Sequence, residues 1–234
     1  MGKQYLHLTQ SILLLVFSWG CETGSSSGTG ANTSTGTSTS TGTNTSTTTV
    51  NCKVPASCGG AVDGTWQIDS TCVVGDVAAV VGAKLGLPPA CNDAYQSGTT
   101  SATGTLSFAG GNKSDNVTTT TNLVAEITSA CASAAIGTTM TLSAALCPLL
   151  QTYLADPTAG TSATCTFTGA NCNCTVVQQT TSTAQAAYSM AGNSLTFTNG
   201  DNPIDYCVAG TSMTASQAST DLNGLTFVYT LHKV

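Results

Sequence analysis

Arginine is absent from this 234-residue chain, and charged residues of all kinds make up only 7% of it. After Cys21 the lysines are Lys53, Lys84, Lys113 and Lys233, set against eleven acids. Nucleic-acid binding needs several cations gathered on one face, so this balance excludes it as a main role. A formal net charge of −6 likewise excludes electrostatic attraction to an anionic bilayer surface. Histidine is as scarce, with His232 alone beyond the first 20 residues. A Ser-His-Asp or Cys-His nucleophile would have that one base to draw on. The chain therefore reads as a non-enzyme with no cofactor. Aromatics are 6% of the residues, which leaves little material for both a packed core and a lined pocket.

What is present begins with an N-terminal leader. Lys3 supplies a short positive region and residues 12–17 an apolar run of signal-peptide length. That run falls short of the ~20 residues needed to span a bilayer as a helix. The junction Ser18-Trp19-Gly20-Cys21 resembles the cleavage and lipidation site of bacterial lipoproteins, with a small residue directly before the cysteine. The resemblance implies a signal peptide over residues 1–20 and a lipid on Cys21, which would anchor the protein to the outer membrane. Residues 21–50 are then the lipidated cysteine and a tract of almost only Thr, Ser, Gly and Asn. Such a tract has no apolar surface to offset its chain entropy and is expected to be disordered. As a flexible chain it spans roughly 30 Å root-mean-square, a tether between lipid and domain.

Residues 51–234 have the size of one domain. Hydrophobic residues, 41% of the whole chain, are sufficient for a core. Besides Cys21 there are ten cysteines: Cys52, Cys58, Cys72, Cys91, Cys131, Cys147, Cys165, Cys172, Cys174 and Cys207. An even set in an exported domain reads as a disulfide framework of up to five bridges. Spacing suggests Cys52–Cys58, Cys72–Cys91, Cys131–Cys147, Cys165–Cys172 and Cys174–Cys207. Cys172-Asn173-Cys174 also invites a soft-metal reading, but two residues apart on a strand they share a face, and a third thiolate or histidine would be needed.

Strand signals dominate. Trp66, Ile68, Ser70 and Cys72 alternate with Gln67, Asp69 and Thr71, the period of a half-buried strand. Strands are also expected over 95–108 and 117–128, separated by Gly110-Gly111-Asn112. Seven more follow at 163–168, 172–180, 186–190, 194–198, 204–209, 212–216 and 225–232. In the last, Leu225, Phe227, Tyr229 and Leu231 face one way. Asp76 is placed to cap a short helix reaching residue 85. A second helix is expected over 141–154, kinked or broken at Pro148. The whole predicts a mainly β domain, an antiparallel meander closing into a barrel or sandwich with a short helical insertion and disulfide staples.

Gly64-Thr65-Trp66 on the first strand, the run of hairpins and the helical insertion resemble the lipocalin-like, or calycin, barrels. Phrases such as Tyr188-Ser189-Met190-Ala191-Gly192-Asn193-Ser194-Leu195-Thr196-Phe197 and Tyr206-Cys207-Val208-Ala209-Gly210-Thr211-Ser212-Met213-Thr214 resemble the strand–turn–strand units of bacterial lipocalin-like lipoproteins, of the Cys-rich kind found in myxobacteria. In that family an arginine near the chain end packs on the first-strand tryptophan. Here His232 or Lys233 is available for that role, or Trp66 packs on aliphatic residues. The resemblance implies a small apolar ligand in the barrel, with Trp66, Phe108, Tyr188, Phe197 and Phe227 as candidate lining. The same aromatics could instead fill a dry core, leaving a structural or surface-interaction lipoprotein. Asp201 with Asp205, and Asp63 with Asp69, are the acid pairs that glycoside chemistry would use, and Asp201-Asn202-Pro203-Ile204-Asp205 offers oxygen ligands to calcium without the spacing of a calcium loop; as solvated turn residues they need neither role.

Overall fold

The computed structural model describes residues 52–77, 79–80, 88–198, 201–219 and 224–234. The leader, Cys21, the Thr/Ser/Gly tract, residues 81–87 of the expected first helix and the Asn199-Gly200 and Asn223 turn positions lie outside them. Among the described residues ten antiparallel strands form one sheet: β1 (Gly64–Val74), β2 (Tyr95–Ala109), β3 (Asn112–Ile127), β4 (Thr161–Thr168), β5 (Asn171–Ser182), β6 (Gln185–Ala191), β7 (Ser194–Phe197), β8 (Ile204–Ala209), β9 (Ser212–Ala218) and β10 (Thr226–Lys233). Two helices, α1 (Ser129–Ile136) and α2 (Cys147–Leu154), fall between β3 and β4.

The strand order is β2-β1-β10-β9-β8-β7-β6-β3-β5-β4, and β2 also pairs with β3. That extra pairing closes eight strands into a ring and leaves β5 and β4 outside it as a flap. The flap exists because β3 is long enough to serve two neighbours. Its residues 112–114 pair with β6, and its residues 117–127 pair with β5. Gly104 of β2 lies opposite Val117, at this handover. Its φ is +118°, and a Cβ there would collide with the Asn116 carbonyl oxygen. Only glycine lets the two strands coil past each other this closely.

Register departs from simple alternation in β1. The pairing with β10 shifts between Ile68 and Ser70, so Asp69 is a bulge residue. One extra residue inverts the faces beyond it. Trp66 and Ile68 point into the ring beside Leu231, but Ser70 and Cys72 do not continue that face as expected. Cys72 instead lies opposite Val228 on the outer side, where it bonds Cys52. Leu225, just before β10, and Leu231 within it are buried and Phe227 and Tyr229 half-buried, while Val228 on the opposite face is buried too.

The expected helix over 141–154 is shorter than the spacing implied. Pro148 stands in the first turn of α2, where its missing N–H has no helical partner to lose, and so it starts the helix rather than kinking it. Residue 128, expected to end a strand, caps α1: the Thr128 side chain accepts from the Cys131 N–H, and Gly137 closes the helix at φ 79°. Asp76 Oδ1 accepts from the Ala79 N–H at 3.0 Å, as a cap would.

Five disulfides join the ten cysteines, Cys52–Cys72, Cys58–Cys207, Cys91–Cys131, Cys147–Cys172 and Cys165–Cys174. None is a pair that spacing suggested. The β4–β5 hairpin explains one correction. Its two-residue turn sets Thr168 opposite Asn171, which puts Cys165 directly across from Cys174 and two positions from Cys172. Their Cα atoms are 4.1 Å apart, close to the ~4.5 Å of a non-hydrogen-bonded antiparallel pair. Consistently, the Cys165 N–H turns away from β5 and donates to Gln151 Oε1 of α2 at 3.1 Å. Cys172 and Cys174 do share a face, which they present to a sulfur-rich core of Ala125, Ala132, Leu142 and Cys147 under the helices. The bridges are consistent with an exported protein. Among the described residues no helix is long and apolar enough to cross a membrane.

Candidate functional site

The ring interior is where a barrel-like sheet could hold something. Trp66, Phe108, Leu195, Tyr206, Met213 and Leu231 are the largest apolar side chains fully buried in it among the described residues, each 2% exposed or less. Trp66 is fixed from both ends. Its Nε1 donates to the Val62 carbonyl at 2.7 Å, and Lys233 Nζ lies 5.6 Å from its ring centroid. Lys233 also donates to the Asp63 carbonyl at 2.7 Å. Of the two candidate stand-ins for an arginine, Lys233 takes the position over the ring. His232 points elsewhere, with Nδ1 2.6 Å from Asp69 Oδ1 and both side chains about half exposed. Replacing Lys233 by methionine removes a cation–π contact and a backbone tie, each modest at an exposed site. The expected loss is about 1 kcal/mol in urea unfolding, with Lys233→Arg retaining most of it; no loss in Lys233→Met would show the contact to be idle.

The segment before β1 patches the ring. β7 pairs with β8 only at Ser194–Asp205 and Leu195–Ile204. Where they part, Cys58 and Gly59 N–H groups both donate to the Tyr206 carbonyl at 3.0 Å, and Val208 N–H donates to the Gly59 carbonyl at 2.8 Å. Cys58–Cys207 locks this contact, and Val62 of the same segment is buried in the core.

The interior also holds a charge pair. Lys113 and Asp115, two residues apart on β3, point the same way and meet at 3.0 Å between Nζ and Oδ2, with side chains 0% and 1% exposed. Lys113 Nζ sits 4.8 Å from the Phe197 ring centroid. Burial pushes the Asp115 carboxyl above the usual carboxylate range and the Lys113 amine below its own, each against the attraction of its partner; Asp201 acts on both by its charge. Composition offered no signal for this pair, because a Lys-x-Asp beside a Gly-Gly turn reads as solvated.

Beside Asp115 is a cavity of about 30 Å³. Ile68, Leu106, Phe108 and Met213 form part of its apolar side, and Thr119, Thr180, Ser182 and Tyr229 its polar side. Of the five aromatics expected to line a pocket, only Phe108 borders it. Trp66 and Phe197 are packed in the core cluster, and Tyr188 makes an edge-to-face contact with Phe108, centroids 5.5 Å apart. Phe227 is half-buried in β10, opposite Val73. Tyr188 Oη donates to Asp63 Oδ1 at 3.3 Å. Asp205 is exposed, and Asp201 is half-buried and acts by its charge on the Lys113–Asp115 pair. Among the described residues no three His, Cys, Asp or Glu side chains gather where they could hold a metal.

Compared with known proteins, the chain matches no family profile, no curated protein and no solved structure.

Proposed function

We propose that the protein is a non-enzymatic cell-envelope lipoprotein. In this reading the lipid on Cys21 holds it at the outer membrane, residues 21–50 are the tether, and residues 51–234 are displayed as a lipocalin-like barrel of calycin type. Its role is structural or in surface interaction, not the carriage of a small hydrophobic ligand. The packed ring interior carries this choice. Drug-sized ligand pockets are roughly 300–1,000 Å³, and the cavity here is about 30 Å³. A patch of exposed apolar side chains on α2, Leu149 and Tyr153 one turn apart, supports interaction through the outer surface.

One experiment reads both halves. Protein extracted in mild detergent from its own membrane is measured first by native and then by denaturing mass spectrometry. The expected denatured mass is that of a chain beginning at Cys21 plus acyl groups, and the expected native spectrum shows no further adduct. An unmodified mass would end the anchoring half. A stoichiometric hydrophobic adduct would end the filled-core half and restore ligand carriage.

A further inference from the structure

We propose that the cavity beside Asp115 is a binding site for a single small hydrogen-bond donor, water in aqueous solution, held between the Asp115 carboxylate and the hydroxyls that face it. Three observations meet here. Asp115 is buried, and while Oδ2 faces Lys113, Oδ1 has no hydrogen-bond donor among the described residues. Buried polar atoms in native proteins are satisfied by protein or by ordered water in nearly every case. The cavity of about 30 Å³ exceeds the ~10–15 Å³ needed to hold a water.

The lining decides between a wet and a dry cavity. Purely apolar cavities stay empty of water, whereas a water needs two to four polar partners. Asp115, Thr119, Thr180, Ser182 and Tyr229 border this one. Tyr229 is suited to the donor role toward the water oxygen: burial, and then the Asp115 charge, hold its hydroxyl protonated well beyond the ordinary tyrosine range. The water in turn donates to Oδ1. A chain with only 7% charged residues has thus placed a lysine and an aspartate inside its ring, and the bound donor completes the set. The Asp115 side chain is 1% exposed, so a water on its carboxylate sits back from bulk solvent and should exchange slowly.

The test is NMR on the oxidised, ¹³C,¹⁵N-labelled protein, reading nuclear Overhauser cross-peaks between side-chain protons and the water resonance. Cross-peaks from Thr119, Thr180 and Tyr229, with the sign of a slowly exchanging water, are expected. They should vanish in Lys113→Met/Asp115→Leu, which removes both charges and so avoids the cost of burying Lys113 without Asp115. Absence of these peaks in the unaltered protein overturns the proposal, as does their persistence in the double variant. Titration with ammonium chloride at constant ionic strength is expected to leave them unchanged; their loss would assign the site to a small cation instead. None of these readouts depends on lipid anchoring or on the outer surface.

Discussion

Removing Cys58 and Cys207 together, as Cys58→Ala/Cys207→Ala, should lower unfolding stability by about 4–5 kcal/mol, the largest effect of any single bridge. For a domain of this size that is a fall of roughly 10–20 °C in melting temperature. The reason is loop length. A disulfide acts mainly by restricting the unfolded chain, and the restriction grows with the logarithm of the loop it closes. Cys58–Cys207 spans 149 residues, whereas Cys165–Cys174 spans 9 and should be worth about 2–3 kcal/mol. The other four bridges shorten the effective loop, which is why the estimate stops short of the full chain-entropy value. The native side adds a local consequence. Without the bridge, the segment carrying Gly59 and Val62 is held to β8 by hydrogen bonds alone, so Cys58, Gly59 and Val208 amides should gain hydrogen exchange first. Urea titrations of the two double variants check the ranking. A larger loss for Cys165→Ala/Cys174→Ala would contradict the loop argument.

Asp115→Leu should cost about 3–5 kcal/mol, because it leaves Lys113 at zero exposure without the carboxylate 3.0 Å from its amine. The charge of Asp201 reaches Lys113 and reduces this cost without abolishing it. Lys113→Met/Asp115→Leu should recover most of the loss, since a buried ion pair is roughly balanced between desolvation and attraction and an apolar pair of similar volume replaces it at little cost. The difference between the double variant and the sum of the two singles then measures the coupling. Denaturant unfolding of all four proteins supplies the numbers. A cost below about 1 kcal/mol for Asp115→Leu would mean that water reaches Lys113, and that the ring is not closed around it.

Much of the fold was legible in the chain. The turns at Gly110-Gly111, Gly192-Asn193 and Gly210 carry positive φ, and the strands fall within a few residues of where the alternation put them. Helix α1 was missed because its Ala- and Ser-rich sequence has almost no apolar stripe; its caps, Thr128 and Gly137, were the available signal. The face of Cys72 was misjudged because a bulge at Asp69 leaves no mark in composition. The cavity and the buried pair were out of reach for a related reason. Lys113 and Asp115 look like surface residues until the ring closes over them.

The sequence by itself determined the class of this protein: an antiparallel, disulfide-bridged β domain after a low-complexity tract, poor in charge and in catalytic residue types. Those are properties of composition, period and turn chemistry, which act within a few residues and need no partner to be read. Tertiary structure alone decided which cysteines pair, where the eight-stranded ring ends and the flap begins, and that an ion pair lies inside. Each of these depends on register between strands far apart in the chain. A single bulge or a two-residue turn changes that register and carries every side chain beyond it to a new neighbour.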